Sequence, residues 1–515
     1  MMRTTRQTRA ILVMSLAFLL PLTIISVFYY RPLFAPVYLE PSDSIDDFVE
    51  QLDAKISGLL ETNTVPGAAI AVISNNQTNI ITAGRSNLFA SEPLTPHHIF
   101  QIASMSKSQC ALAIMKLVQD GLILLDAPVE WYLTRWSFPD SQYNTSGVTV
   151  RRILCHAAGI SLEGVSGGFS PDDVYTIEDA LTESGVSLIY EPGSVFSYSG
   201  GGYGILQLLI EEVSGMSYDE YLQSQVFEPL NMSDTTTGWD SSIEHHLAVG
   251  YSNMLLPIIR TYPVMKAAAA HYSSIEDMAK WVNHLLVGQP VVNTTNMLAM
   301  YTPQWGESWG WTLGFNYKML SNGILTLGHG GDNWGYHGAY RFAPEDGEAI
   351  IVLTNGDRGA AFVTELLHHW ETVIEGGDLE ILWEEQNQAY GQTFLYEIIT
   401  VVGFLTLLLL AWKRGFIVFS RNVEQKRVGE RRWFRRIVSV ICVLAIIMFF
   451  IYWGYTPLSP ISYGPISYVW TIIAPLTWLT WTSVAFQQFD LVSEKTPSED
   501  IVEHRISPGP PIRGA

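Results

Sequence analysis

Residues 92–133 read EPLTPHHIFQIASMSKSQCALAIMKLVQDGLILLDAPVEWYL. From Ser104 to Asp120 apolar side chains recur every three or four positions, and Gly121 stops the run, so the pattern predicts a helix over 104–120. Ser104 and Lys107 open it, and a spacing of three sets both on one helical face. A serine hydroxyl is a poor nucleophile until a base accepts its proton, and a desolvated lysine can be that base. The start of a helix also favours developing negative charge. Ser-x-x-Lys recurs by chance on many helices, so its meaning depends on the surrounding segments.

Outward from that stretch, residues 44–61 predict an amphipathic helix with Ser44 as its N-cap. Residues 67–74 and 78–84 read as strands around Asn75-Asn76-Gln77, a hairpin. A helix is expected over 201–214, ending near Gly215, with late strands at 312–318, 324–329, 336–343 and 348–354 and a final helix at 360–375. Strands at both ends with helices between them predict an α+β fold: an antiparallel sheet flanked by helices, plus a helical lobe.

Five segments, in order, carry a family resemblance: TVPGAAIAVIS (64–74), the 92–133 stretch, VTVRRILCHAAGI (148–160), EPGSVFSYSGGGYGILQLLIEEVSGMSYDEYLQSQVFEPLNMSDT (191–235) and LGHGGDNWGYHGAYRFAPEDGEAIIVLTNGD (327–357). Together the chain over 44–375 resembles the beta-lactamase-related serine hydrolases, a group of class C beta-lactamases, low-molecular-mass penicillin-binding proteins, D-amino-acid peptidases and esterases. The resemblance implies a beta-lactamase/transpeptidase-like fold with Ser104 as nucleophile and Lys107 as its base. The family's Tyr-x-Asn motif reads Tyr198-Ser199-Gly200 here. Tyr198 then shares the base role and protonates the leaving group. Gly200 replaces the amide that orients the lysine and holds a substrate carbonyl, which counts against efficient beta-lactam hydrolysis. The Lys/His-x-Gly motif reads His329-Gly330-Gly331, making His329 a partner of Tyr198 whose charge depends on pH. Backbone N–H groups of Ser104 and Asp332 would form the oxyanion hole, and Gly200, Gly330 and Gly331 would line the substrate site.

The chain has 515 residues, 48% of them hydrophobic and 15% charged, with a formal net charge of −21. So acidic a chain lacks the basic field that holds nucleic acid. Its excess apolar residues are concentrated in runs. Residues 10–30 carry no charge and follow Arg3, Arg6 and Arg9, so 1–30 reads as a signal anchor or signal peptide. Residues 395–412, 437–455 and 468–486 read as three transmembrane helices within 395–486, with Trp412, Trp453, Tyr468 and Trp470 near their ends. The loop 413–436 holds nine Lys/Arg and is expected to be cytoplasmic. That orientation makes 31–394 an extracytoplasmic hydrolase domain and 487–515 a disordered cytoplasmic tail.

Other residues have plainer readings. His156 is expected to hold a turn, and His337 to be surface or pocket wall. His245-His246 and His368-His369 resemble ligand pairs, but adjacent residues face different ways and no carboxylate completes either set, so no metal is expected. Trp305, Trp309, Trp311 and Trp334 are candidates for a groove wall, Tyr203 and Gly200–Gly202 for shaping the Tyr198 loop, and Cys110 and Cys155 for a disulfide. The expected activity is a membrane-anchored serine hydrolase that acylates Ser104 with a small-molecule or peptide amide or ester, D-peptides first by the resemblance. It needs no cofactor, and the lipid bilayer is its other partner. An esterase or beta-lactamase of the same fold, and a membrane sensor that binds ligand without turnover, remain open, as does the oligomeric state.

Overall fold

A computed structural model describes residue 37 and residues 39–377, apart from 162–166, 169–175, 254, 260–261, 289 and 305–309. The expected anchor, the three transmembrane runs with their loop and tail, and Trp305 and Trp309 lie outside the described residues. No helix among the described residues is long and apolar enough to cross a membrane.

The chain enters through α1 (Ile45–Asn63), where Ser44 accepts a hydrogen bond from the Asp47 N–H and Asp46 and Asp47 complement the helix N-terminus. Phe48, Leu52, Ile56, Leu59 and Leu60 recur at helical spacing and are all buried. β1 (Gly67–Ser74) and β2 (Gln77–Asn87) pair in register from Gly67↔Gly84 to Ser74↔Gln77. Asn75 and Asn76 both take left-handed φ, 51° and 59°, which makes the two-residue turn that suits twisted strands. Gln77, expected in the turn, is already paired.

β3 (Glu92–Pro93) lies at one edge of the main sheet, and β4 (Ile99–Gln101) leads to α2 (Ser106–Gln119). α3 (Val150–Leu154), β5 (Gly167–Gly168), α4 (Ile177–Glu183), α5 (Gly200–Ser214), α6 (Tyr218–Leu222), β6 (Tyr262–Pro263) and α7 (Lys266–Ala269) build the helical lobe. β7 (Tyr272–Ser274) pairs with β4, and α8 (Ile275–Val287) and α9 (Thr294–Tyr301) follow. β8 (Asn316–Met319), β9 (Leu325–Asn333), β10 (Tyr336–Ala343), β11 (Glu348–Thr354) and α10 (Gly359–Glu375) complete the order.

The main sheet runs β3-β2-β1-β11-β10-β9-β8, antiparallel throughout, and β1 pairs directly with β11. Both faces are covered. Ala68, Ile70, Val72, Ile350 and Val352 pack against Phe48, Leu52, Phe362, Leu366 and Trp370 of α1 and α10. Ala69, Ala71, Ile73, Ile351 and Leu353 face the helical lobe. Alternate residues of one unbroken apolar run thus serve two cores. Filling one such position with a Leu or Ile side chain contributes about 1.5–3 kcal/mol.

Two expectations need correction. The strand expected at 312–318 begins only at Asn316, because Gly314, at φ 93°, turns the chain. β9 runs four residues past His329, through the glycines. The helix expected over 201–214 runs over Gly200–Ser214, so Gly200–Gly202 and Tyr203 form the first turn of α5, capped by Ser199.

Candidate active site

The nucleophile segment approaches through a sharp turn. Ala103 takes a left-handed φ of 48°, and Ser104 lies in the 3-10 turn Ala103–Met105 that runs into α2. The turn is tied to the lobe: the Ile102 N–H donates to the His271 carbonyl at 2.9 Å, the His271 N–H to Ser106 Oγ at 3.1 Å, and Ser106 Oγ to the Ala103 carbonyl at 2.5 Å. Lys107, in the first turn of α2, is 1% exposed. Its Nζ donates to Ser104 Oγ at 3.0 Å and to the Ala268 carbonyl of α7 at 2.6 Å.

Tyr198 sits immediately before α5, and Lys107 Nζ lies 4.8 Å from its ring centroid and 5.7 Å from that of Tyr203. The structure therefore brings Ser104, Lys107 and Tyr198 together from segments about ninety residues apart in sequence. His156 holds the Tyr198 segment on both sides: its carbonyl accepts the Ser197 N–H at 2.8 Å, and its Nδ1 accepts the Ser199 N–H at 3.1 Å. Accepting at Nδ1 requires a ring with no proton there. Burial holds the His156 pKa well below the usual histidine range, with Lys107 and His329 adding to the effect. The expected turn-holder is thus also part of the site, 4.3 Å from Tyr198 between ring centroids.

His329 reaches the same cluster from β9, 6.5 Å from Tyr198 between ring centroids and 3% exposed. Its Nδ1 lies 2.6 Å from the Gly330 carbonyl, which fixes the proton on Nδ1 and turns an unprotonated Nε2 inward. Burial, reinforced by Lys107, pushes its pKa down to about 3. Near neutral pH the ring is therefore uncharged, in place of the pH-dependent charge expected from the motif. Trp311 stands edge-on to His156 and His329, at 4.8 and 5.3 Å, and 5.6 Å from Tyr198. It packs against the cluster, whereas Trp334 is exposed in the β9–β10 turn.

Gly331 explains the glycines after His329. A Cβ there would come within 2.2 Å of the Ile102 carbonyl oxygen, so only glycine lets β9 lie against the nucleophile turn. The ladder between β8 and β9 ends at Gly328, leaving Gly330, Gly331 and Asp332 beyond it, beside that turn. Ser104 and Asp332 thus lie on apposed backbone segments. The Asp332 side chain takes the other direction and pairs with His337. Gly200, as first residue of α5, brings no side chain toward Lys107.

Cys110 and Cys155 are both buried and are not joined in a disulfide. Burial pushes the Cys110 thiol up to about 12, which keeps it a neutral core group. Sequence reading missed the Ala268 carbonyl that holds Lys107, since KAAAAHY (266–272) carries no signal for a backbone acceptor. It also missed His97, Asp234 and Glu276, three segments whose ligand atoms converge within 4.8 Å. There His97 Nδ1 already meets Asp234 at 3.5 Å and Glu276 at 3.1 Å, at an exposed surface.

The family model described as beta-lactamase matches residues 52–372. Protein flp of Staphylococcus aureus (strain N315) is 24% identical over 436 residues, covering 78% of this chain and 82% of the relative. Among solved structures, an octameric penicillin-binding protein homologue from Pyrococcus abyssi superposes with a TM-score of 0.57 at 26% identity, covering 66% of this chain and 81% of that one. The D-amino acid amidase from Ochrobactrum anthropi SV3 superposes with a TM-score of 0.55 at 24% identity, covering 64% of this chain and 98% of that one, a likeness of fold.

Proposed function

The chain belongs to the beta-lactamase family, and from that premise we propose that it is a membrane-anchored hydrolase that forms an acyl-enzyme on Ser104 outside the cytoplasm. One observation carries this reading: the 3.0 Å hydrogen bond between Lys107 Nζ and Ser104 Oγ, with the lysine buried. Lys107 Nζ, held on the Ala268 carbonyl, stands beside the Ser104 hydroxyl, where its unprotonated form can take the hydroxyl proton. Ser104 Oγ attacks the substrate carbonyl as its proton passes to Lys107. Backbone N–H groups of Ser104 and Asp332 receive the oxyanion, and Tyr198 protonates the leaving group while taking back the proton that Lys107 accepted from Ser104. Water then attacks the acyl carbonyl, with the proton path reversed, and releases the acid.

The site also bears on the substrate. His329 is neutral, so it offers no cation to a substrate carboxylate, and Gly200 offers no amide to a substrate carbonyl. Both features favour simple esters and amides over beta-lactams. The penicillin-binding and amidase names of the structural neighbours supply suitable probes. The test is labelling of the full chain with a fluorescent penicillin and a fluorophosphonate, followed by turnover of p-nitrophenyl esters, D-alanyl amides and nitrocefin. Labelling is expected to vanish in Ser104→Ala, and esters and amides to turn over faster than nitrocefin. Stable acylation without turnover of any of them would favour the sensor reading. The uncharged runs and the basic 413–436 loop support the membrane placement, which protease accessibility of the catalytic segment in intact cells would test.

A further inference from the structure

Behind the strand that carries His329, a second histidine is held between two carboxylates. His337 on β10 pairs in register with Asp332 on β9. Its Nδ1 lies 2.6 Å from Asp332 Oδ1 and its Nε2 3.8 Å from Asp357 Oδ1. The imidazole and Asp357 are buried, while Asp332 is half exposed. Each ring nitrogen faces a carboxylate oxygen, a placement that favours the doubly protonated, cationic ring.

This ion cluster sits at the tip of the β9–β10 hairpin and ties it to its surroundings. Asp357 Oδ1 also accepts the Gly335 N–H at 2.6 Å, and the Asp357 N–H donates to the Tyr251 carbonyl at 2.8 Å. On the other side Asn333 Nδ2 donates to the Ala269 carbonyl at 3.1 Å, one residue from the carbonyl that holds Lys107. Asp332 and Asn333 are thus fixed from both sides, at the stretch of β9 that passes the nucleophile turn.

We propose that His337 is a positioning residue: its imidazolium fastens Asp332 to the Asp357 loop and thereby aims the Asp332 backbone N–H at the oxyanion. The inference rests on the acyl-enzyme reading above. The charged groups facing His337 are Asp332 from β9 and Asp357 from the loop after β11; from β11 itself the neutral Thr354 hydroxyl donates to the His337 carbonyl at 2.8 Å. Burial opposes the charge, but the hydrogen bond to Asp332 and the nearby Asp357 carboxylate outweigh it and carry the His337 pKa up to about 9. Oxyanion positioning should therefore weaken as pH rises through about 9.

The test compares p-nitrophenyl butyrate turnover by the full chain, His337→Gln and Asp357→Asn across pH 6–10.5, with the Ser104→Ala rate subtracted as background. His337→Gln is expected to lower kcat by about tenfold or more with KM within about threefold, since an oxyanion donor displaced by a fraction of an ångström acts on the transition state rather than on binding. It should also lose the inflection near pH 9 that the wild type shows. Asp357→Asn keeps the shape of the cluster and removes one charge, so its inflection should move down by about one unit. The His337 Cε1–H resonance provides a readout independent of turnover and should follow the same shift. Wild-type kcat and an unmoved inflection in both variants would overturn the proposal while leaving the Ser104 reading intact. Turnover that persists in Ser104→Ala would instead overturn the reading beneath it.

Discussion

β1 and β9 belong to one antiparallel sheet, with β11 and β10 between them, yet their sequences serve different ends. In β1 all eight residues are buried and nearly all are apolar, divided between two cores by strand alternation. In β9 the segment beside Ser104 reads His-Gly-Gly-Asp: a buried neutral imidazole, a glycine forced by the Ile102 carbonyl, and a carboxylate held by a histidine on the next strand. Interchangeable apolar volume stabilises the first strand. The second gives up burial for close backbone approach and fixed dipoles, the arrangement that preorganised transition-state stabilisation requires.

Substitutions in the two strands should therefore separate activity from stability. Gly331→Ala sets a Cβ against the Ile102 carbonyl and moves β9 away from Ser104. Ester turnover should fall about 100-fold, the cost of roughly an ångström of misplacement. Calorimetry should show a smaller change, about 1–3 kcal/mol of overpacking. Ile70→Ala in β1 should do the reverse, costing about 2–5 kcal/mol in stability. The kcat of its folded fraction, normalised by active-site titration, should stay within about twofold. Equal losses of kcat in both variants would end the distinction between the strands.

The histidines sharpen it through pH. His329, held down to about 3, and His271, also pushed to about 3 by burial, are neutral in the fold but bind a proton near pH 6.5 when unfolded. The stability that depends on their neutral form is complete above about 6.5 and is lost as pH falls from there toward about 3. His337 has the opposite sign: raised to about 9, it contributes fully below about 6.5, and that contribution fades as pH rises through about 9. Melting temperature across pH 3–10 should show both limbs. His329→Gln should flatten the acid limb only, and His337→Gln the alkaline limb only. The smallest effect is expected at the wall: Trp311→Phe should raise KM for p-nitrophenyl esters about threefold with little change in kcat, because it trims apolar contact area without touching the proton path.

These contrasts also explain what could be read from the sequence. The pairing of Ser104 with Lys107 followed from their spacing, while their roles as nucleophile and base rested on the resemblance of the surrounding segments. The β1–β2 hairpin was legible because two adjacent asparagines mark a turn. Tyr198 and His329 were found only through family resemblance, since nothing local connects them to Ser104. The extension of β9 was misread because glycine is a poor strand former. At Gly331 its advantage lies in a neighbour distant in sequence. The charge of His329 and the clamp on His337 depend on burial and on partners from other strands, which spacing does not encode. The Ala268 carbonyl is a backbone atom in an alanine run and leaves no mark in the sequence at all.

The central claim is that Ser104, deprotonated by Lys107, becomes covalently acylated. Intact mass measurement after fluorophosphonate treatment, followed by peptide mapping, tests it most directly. The account requires one adduct, on the peptide containing Ser104, formed by the wild type, slowed at least about 100-fold in Lys107→Ala and absent from Ser104→Ala. An adduct on another residue, or undiminished labelling of Ser104→Ala, would contradict it.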